Sequence, residues 1–94
     1  MTTLETLRDE INALDQQLLA LLNQRAELAL KIGQCKQALG VDEYHVPTRE
    51  VEVLSRLCSV SQGPLPDTGI EAIYRQIMAA CLQLQRDSRK GEIS

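Results

Sequence analysis

Arg25 stands in a run of positions that is otherwise apolar: Leu4, Leu7, Ile11, Leu14, Leu18 and Leu21 before it, then Leu28, Ile32, Cys35 and Leu39 after it. A guanidinium buried there without a partner would cost several kcal/mol, so it needs either a carboxylate of the protein or an anionic ligand. Lys36 follows eleven residues later, ~20° around and ~16 Å along a helix, so both cations can reach one cavity from opposite ends. Glu50 falls in line with Leu54 and Leu57, and Gln85 lies one turn beyond Cys81 on the stripe that also carries Ile77. Arg8 and Arg49 sit beside apolar positions. Each of these has an ordinary structural reading as well. Arg25 could be an ion pair that sets register, Lys36 and Glu50 suit a helix C-terminus and N-terminus, Gln85 could lie in a frayed last turn, and Arg8 and Arg49 could be plain surface residues. Read together, they describe a cationic pocket with one carboxylate and one amide, which fits a small dianion and acts by positioning and electrostatics. His45, the only histidine, sits in a loop with no paired carboxylate, Cys or Ser at a meaningful spacing, and no Gly-rich phosphate loop is present. Nucleophilic and metal chemistry therefore have no visible machinery, and no metal or cofactor is expected.

Helices must position these groups. The alternating three- and four-residue spacing of the first segment is the a/d seam of a heptad repeat. The first helix is expected over about residues 3–39, opened by a capping-box pattern at Thr2 and Glu5 and stopped by Gly40. "GVDEYHVP" reads as loop, and Pro47 suits the first turn of a second helix over about 47–61. A second capping box at Thr68 and Glu71 opens a third helix over about 68–87, with Ile70, Ile73, Ile77, Cys81 and Leu84 as its apolar set. The tail 88–94 has no apolar period and is expected to be flexible. There is no β alternation, internal repeat or low-complexity tract, so residues 1–94 read as one all-α domain.

A rod of ~37 residues is roughly 55 Å long, whereas a compact domain of this size has a radius of gyration of only about 12 Å. The seam is therefore expected to pair with a second copy; the alternative is a long hairpin in which helices two and three cover the whole rod. Composition agrees with association. The chain is 44% hydrophobic and 24% charged, with two aromatics, both Tyr, and a core this small and aliphatic is marginal alone. A net charge of −3 excludes a basic nucleic-acid footprint. No apolar run approaches a membrane span, and no signal peptide is visible, so a cytoplasmic location with no membrane partner is expected. Cys35, Cys58 and Cys81 are odd in number and far apart, which argues for reduced packing residues rather than disulfides or zinc ligands.

"LRDEINALDQQLLALLNQRAELALKIGQCK", "VPTREVEVL" and "GPLPDTGIEAIYRQIMAACLQLQ" together resemble the all-helical chorismate mutases, especially the mutase domain of bifunctional chorismate mutase/prephenate dehydratases. The resemblance covers about residues 4–86. It implies an intertwined homodimer of three-helix protomers. It implies the Claisen rearrangement of chorismate to prephenate on the shikimate route to phenylalanine and tyrosine, with no covalent intermediate and no cofactor. It also implies roles: Arg25 grips a substrate carboxylate, Lys36 contacts the ether oxygen and a carboxylate, and Gln85 is the second donor to that oxygen. Arg49 belongs to the site, Glu50 accepts the substrate hydroxyl, and Arg8 is supplied by the other protomer. Arg8 lies 17 residues before Arg25, ~25 Å along and ~100° around the same helix, so one helix cannot bring both to one small molecule. Two positions depart from the family pattern. Val46 replaces a common Asp but keeps the backbone N–H expected to bind, and Cys81 replaces a serine that often assists a carboxylate, with a weaker donor. An isochorismate pyruvate lyase-like activity shares much of the Arg/Lys set, and a non-catalytic helical dimerisation or regulatory module would keep the heptad but have no use for Gln85 on a buried stripe.

Overall fold

The heptad-patterned segment forms one uninterrupted helix, α1, over Leu4–Ala38. It contains no proline and a single glycine, and it is rich in Leu, Ala, Gln and Glu, which lose little on entering a helix. Its N-cap is Thr3, one residue later than the sequence pattern indicates: the Thr3 side chain accepts the Thr6 N–H at 3.1 Å. At the other end Gly40, at φ 76°, donates to the Gln37 carbonyl, while the Val41 N–H reaches the Lys36 carbonyl at 2.8 Å. This is a Schellman turn, and only the glycine takes the left-handed position easily.

The second helix, α2, spans Pro47–Val60 with proline in its first turn, and the third, α3, spans Asp67–Ile93. Thr68 lies inside the first turn of α3 and not at its cap. The computed structural model describes residues 2–41 and 43–93, with side chains as far as residue 89. All regular structure among them is helical. The expected end of the third helix near residue 87 is not where it stops; it continues for another turn and more. A tertiary contact accounts for part of this extension, because Arg89 donates to the Tyr44 hydroxyl at 3.1 Å and lies over the Tyr44 ring. Ser94, the last residue of the expected flexible tail, lies outside the described residues.

Both α1 and α2 pack against α3 and not against each other. The core is small: Ala29, Tyr44, Leu54, Ile70 and Cys81. Glu50, Leu54 and Leu57 share the inward line of α2, whereas Ile73 and Leu84 of the expected apolar set of α3 are exposed. The inward face of α3 instead runs through Ile70, Tyr74, Ile77, Cys81, Gln85 and Ser88.

Only the C-terminal half of α1 is covered. There the inward stripe is Arg25, Ala29, Gly33 and Lys36, one residue out of step with the aliphatic seam for most of its length. Leu28 and Ile32 remain more than half exposed, and Cys35 is exposed too. Residues 4–21 are all exposed, with only Leu18 and Leu21 bordering a groove with α2 and α3, so the hairpin that would cover the whole rod does not form. The molecule measures 58 × 29 × 15 Å with a radius of gyration of 16.8 Å.

Candidate functional site

The inward stripe of α1, the start of α2 and the middle of α3 enclose a cavity of about 310 Å³. Arg25 and Lys36 enter it from α1, and Arg49 and Glu50 from the first turn of α2. Cys81 and Gln85 enter from α3, and Val46 lies at the mouth of the α2 helix. Seven of the eight residues that sequence reasoning singled out therefore line one cavity. The eighth, Arg8, lies on the exposed N-terminal half of α1 and does not reach it.

Charge in this cavity is unbalanced. Three basic side chains, Arg25, Lys36 and Arg49, face one carboxylate, Glu50. Among the described residues Arg25 meets no carboxylate; its Nη1 donates to the Cys81 thiol sulfur at 3.2 Å. Lys36 is half-buried and donates from Nζ to the Tyr44 carbonyl at 3.3 Å. Neutral partners orient these two cations without cancelling their charge, so the cavity favours an anion. Arg49 is more exposed and pairs with Glu52 one turn along α2 at 3.6 Å, a contact of small energetic weight at such exposure.

The amide at position 85 is fixed. Its Nε2 donates to the Ala29 carbonyl at 2.6 Å, which leaves the second N–H of the same group for a ligand. Gly33 lies at the close approach of the two helices: a methyl group built there would crowd Gln85 Cγ at 3.3 Å and meet Tyr44 Cε1 in ordinary contact at 3.7 Å. The loop residue His45 corrects the sequence reading, because it does have a carboxylate: Nε2 stands 3.3 Å from Glu50 Oε1 at the edge of the cavity. Glu43, outside the cavity, accepts the His45 N–H at 2.7 Å. That bond, helped by Arg86 nearby, holds the Glu43 carboxyl below its usual range against the opposing effect of desolvation. Tyr44 and Gly33 were not visible as site residues, since their placement follows from how the loop closes and not from any periodicity. Among the described residues no group of three or more His, Cys, Asp or Glu is close enough together to hold a metal ion.

A cavity that presents two uncancelled cations, a fixed amide and one carboxylate narrows the possibilities, and comparison decides between them. Residues 7–86 match the chorismate mutase type II family. This chain belongs to that family. It is 39% identical over 79 residues to the bifunctional chorismate mutase/prephenate dehydratase of Neisseria gonorrhoeae, covering 84% of this chain and 21% of that one. It is 38% identical over 90 residues to the enzyme of the same name from Aquifex aeolicus, covering 92% and 25%. The chain thus spans about a quarter or less of the length of these curated relatives. Among solved structures, the chorismate mutase of Helicobacter pylori in complex with prephenate superposes with a TM-score of 0.85 at 36% identity, covering 93% of both chains. The Thermus thermophilus chorismate mutase (form II) gives 0.84 at 33% identity, covering 87% of this chain and 92% of that one. The all-α, three-helix architecture thus matches these solved chorismate mutases. No helix among the described residues is long and apolar enough to cross a membrane.

Proposed function

We propose that this chain catalyses the rearrangement of chorismate to prephenate, in a site that a second copy of the chain completes. The observation that carries the reading is the convergence of Arg25, Lys36, Val46, Arg49, Glu50, Cys81 and Gln85 on one cavity with a surplus of positive charge. In this reaction the ether C–O bond breaks as a C–C bond forms within one molecule, and no group is transferred to or from the protein. The arginines grip the two carboxylates and select the folded conformer, which removes orientational freedom before the chemical step. Lys36 and the second N–H of Gln85 stabilise the negative charge that develops on the ether oxygen, and both are already oriented by the Tyr44 and Ala29 carbonyls. The thiol of Cys81 orients Arg25, and Glu50 accepts the substrate hydroxyl.

A homodimer belongs to the same proposal. The uncovered seam from Leu4 to Leu21 is a surface that water tolerates poorly, and an equivalent seam would cover it. The partner's rod would also carry Arg8 to the cavity. Function in the cytoplasm, with chorismate as the small-molecule partner, fits the absence of any membrane-length apolar helix among the described residues.

The decisive experiment is the loss of chorismate absorbance in the ultraviolet, with prephenate identified as the product and isochorismate run in parallel. Consumption of isochorismate with release of pyruvate, and no conversion of chorismate, would replace the mutase reading with a lyase. Inertness toward both would leave a helical dimerisation module.

A further inference from the structure

Among the described residues Tyr44 is the one loop residue in the core; it bonds one of the two groups assigned to the ether oxygen and shares the Gly33 slot with the other. Its carbonyl accepts the Lys36 ammonium at 3.3 Å. Its ring enters the slot that Gly33 leaves open beside Gln85, where a methyl group on Gly33 would come within 3.7 Å of the ring and 3.3 Å of the Gln85 side chain. Its hydroxyl accepts from Arg89 at 3.1 Å, and the Arg89 guanidinium carbon lies 5.9 Å from the ring centre, within range for a cation–π contact. The backbones of α1 and α2 do not approach each other, so the loop between them is held to α3 by this inserted ring together with the outer Glu43–Arg86 pair.

We propose that Tyr44 is a positioning residue for Lys36 and Gln85, with its ring wedged between α1 and α3 to hold the loop carbonyl under Lys36 and to back the side chain of Gln85. The assignment rests on the proposed mutase reading for its catalytic consequence, but the wedge itself is a statement about geometry. Two pre-oriented donors lose their advantage when either drifts, and a misplacement of about 1 Å can cost on the order of 100-fold in rate. Arg89 holds the wedge from the last turns of α3, which gives the helix beyond residue 87 a function in the site.

The test compares Tyr44→Ala, Tyr44→Phe and Gly33→Ala. Tyr44→Ala should lower kcat by about 10- to 100-fold with little change in KM, because substrate still meets its arginines while the donors wander. Tyr44→Phe keeps the wedge and should recover most of the rate. Gly33→Ala fills the slot from the other side and should lower kcat while circular dichroism shows full helicity, a split that a merely structural role would not produce. A readout independent of activity is the Gln85 side-chain carboxamide in a nitrogen–proton correlation spectrum, which should move in Tyr44→Ala and Gly33→Ala but stay near its parent position in Tyr44→Phe. If Tyr44→Ala does not fold, Gly33→Ala and Tyr44→Phe decide the matter alone. Parent-like kcat in Gly33→Ala, or a Gln85 signal unmoved by it, overturns the proposal. A parent protein that leaves chorismate untouched overturns the mutase reading instead, and the Gln85 signal still decides the wedge.

Discussion

The two halves of α1 carry one heptad pattern and meet opposite environments. From Leu4 to Leu21 the leucines and isoleucine are exposed, and only Leu18 and Leu21 border a groove with α2 and α3. From Leu22 to Lys36, α3 and the following loop cover one face, and that face is built from Arg25, Ala29, Gly33 and Lys36 rather than from the aliphatic seam. Large apolar side chains at heptad spacing lie on the surface proposed above to pair with a second copy. Small and charged residues set one position aside lie where the chain folds on itself around the cavity. Arg25 lies at the crossing of the two stripes, which is why it looks anomalous in the seam.

The sharpest way to break this contrast is to disable each half separately. Arg8→Ala and Lys36→Ala lie at opposite ends of α1, yet on the proposed shared-site reading each should lower kcat/KM by about 100- to 1000-fold, because each would remove one cation that meets the substrate. Mixing the two inactive proteins under conditions of subunit exchange should return activity to about a quarter of the parent level, because half of the dimers are mixed and each of those has one intact site. No recovery after proven exchange would mean that the halves do not share a site.

A smaller effect is expected from Leu14→Asp. A carboxylate in the middle of the uncovered seam has no partner there and should weaken association by about 100-fold, seen as dissociation on dilution in sedimentation velocity. Activity should fall in parallel with the dimer and return at high protein concentration. A variant that stays dimeric would remove the reason for reading the N-terminal half as an interface.

Gln85→Glu probes the covered half through pH. A carboxylate at this position would face the Ala29 carbonyl, the present acceptor of the amide, and would repel the charge developing on the ether oxygen, so only the protonated acid can stand in for the amide. The variant should be active at acidic pH and lose about 10-fold or more in kcat/KM as the new glutamate ionises, while the parent shows no matching decline. Parallel profiles would place Gln85 outside the chemistry.

Glu43→Gln should produce the smallest change. The folded Glu43 carboxyl is held below its ordinary value, first by the His45 N–H, so its contribution to stability is present above the unfolded carboxylate range and is lost as pH falls through the lower folded value. The parent should therefore melt slightly higher than Glu43→Gln at neutral pH, with the gap closing below about pH 4. The group is solvent-exposed, so the gap is small, and a gap that widens on acidification would contradict the assignment.

The three helices were legible because their evidence is periodic or local: a heptad, a proline at the start of α2, a glycine after α1. The polar exceptions on those periods, Arg25, Glu50 and Gln85, were legible for the same reason, since a charged or amide group on an inward stripe needs a partner. What stayed hidden depends on how loops close. Nothing in "DEYHV" says that Tyr44 enters the core while its neighbour His45 turns to Glu50. The continuation of α3 past residue 87 was missed because part of its support comes from Tyr44, more than forty positions away in the chain, and not from a pattern in the tail. The first cap moved from Thr2 to Thr3 because neighbouring threonines offer equivalent hydroxyls.

The Schellman turn at Gly40 has a further consequence for how the chain can vary in length. Its backbone bonds anchor to the carbonyl of Lys36, and the Lys36 ammonium then reaches forward to the Tyr44 carbonyl, so that stretch of chain is closed into a ring at both ends of one lysine. A ring has a fixed circumference. Inserting a residue there would change the phase between the cations of α1 and the Arg49 and Glu50 pair that follows. The connection between Val60 and Asp67 carries no group of the cavity, so extra length there should be absorbed with little effect on the site. Insertions and deletions among natural or engineered versions of this chain should accordingly collect between α2 and α3 and avoid the nine positions from Lys36 to Tyr44.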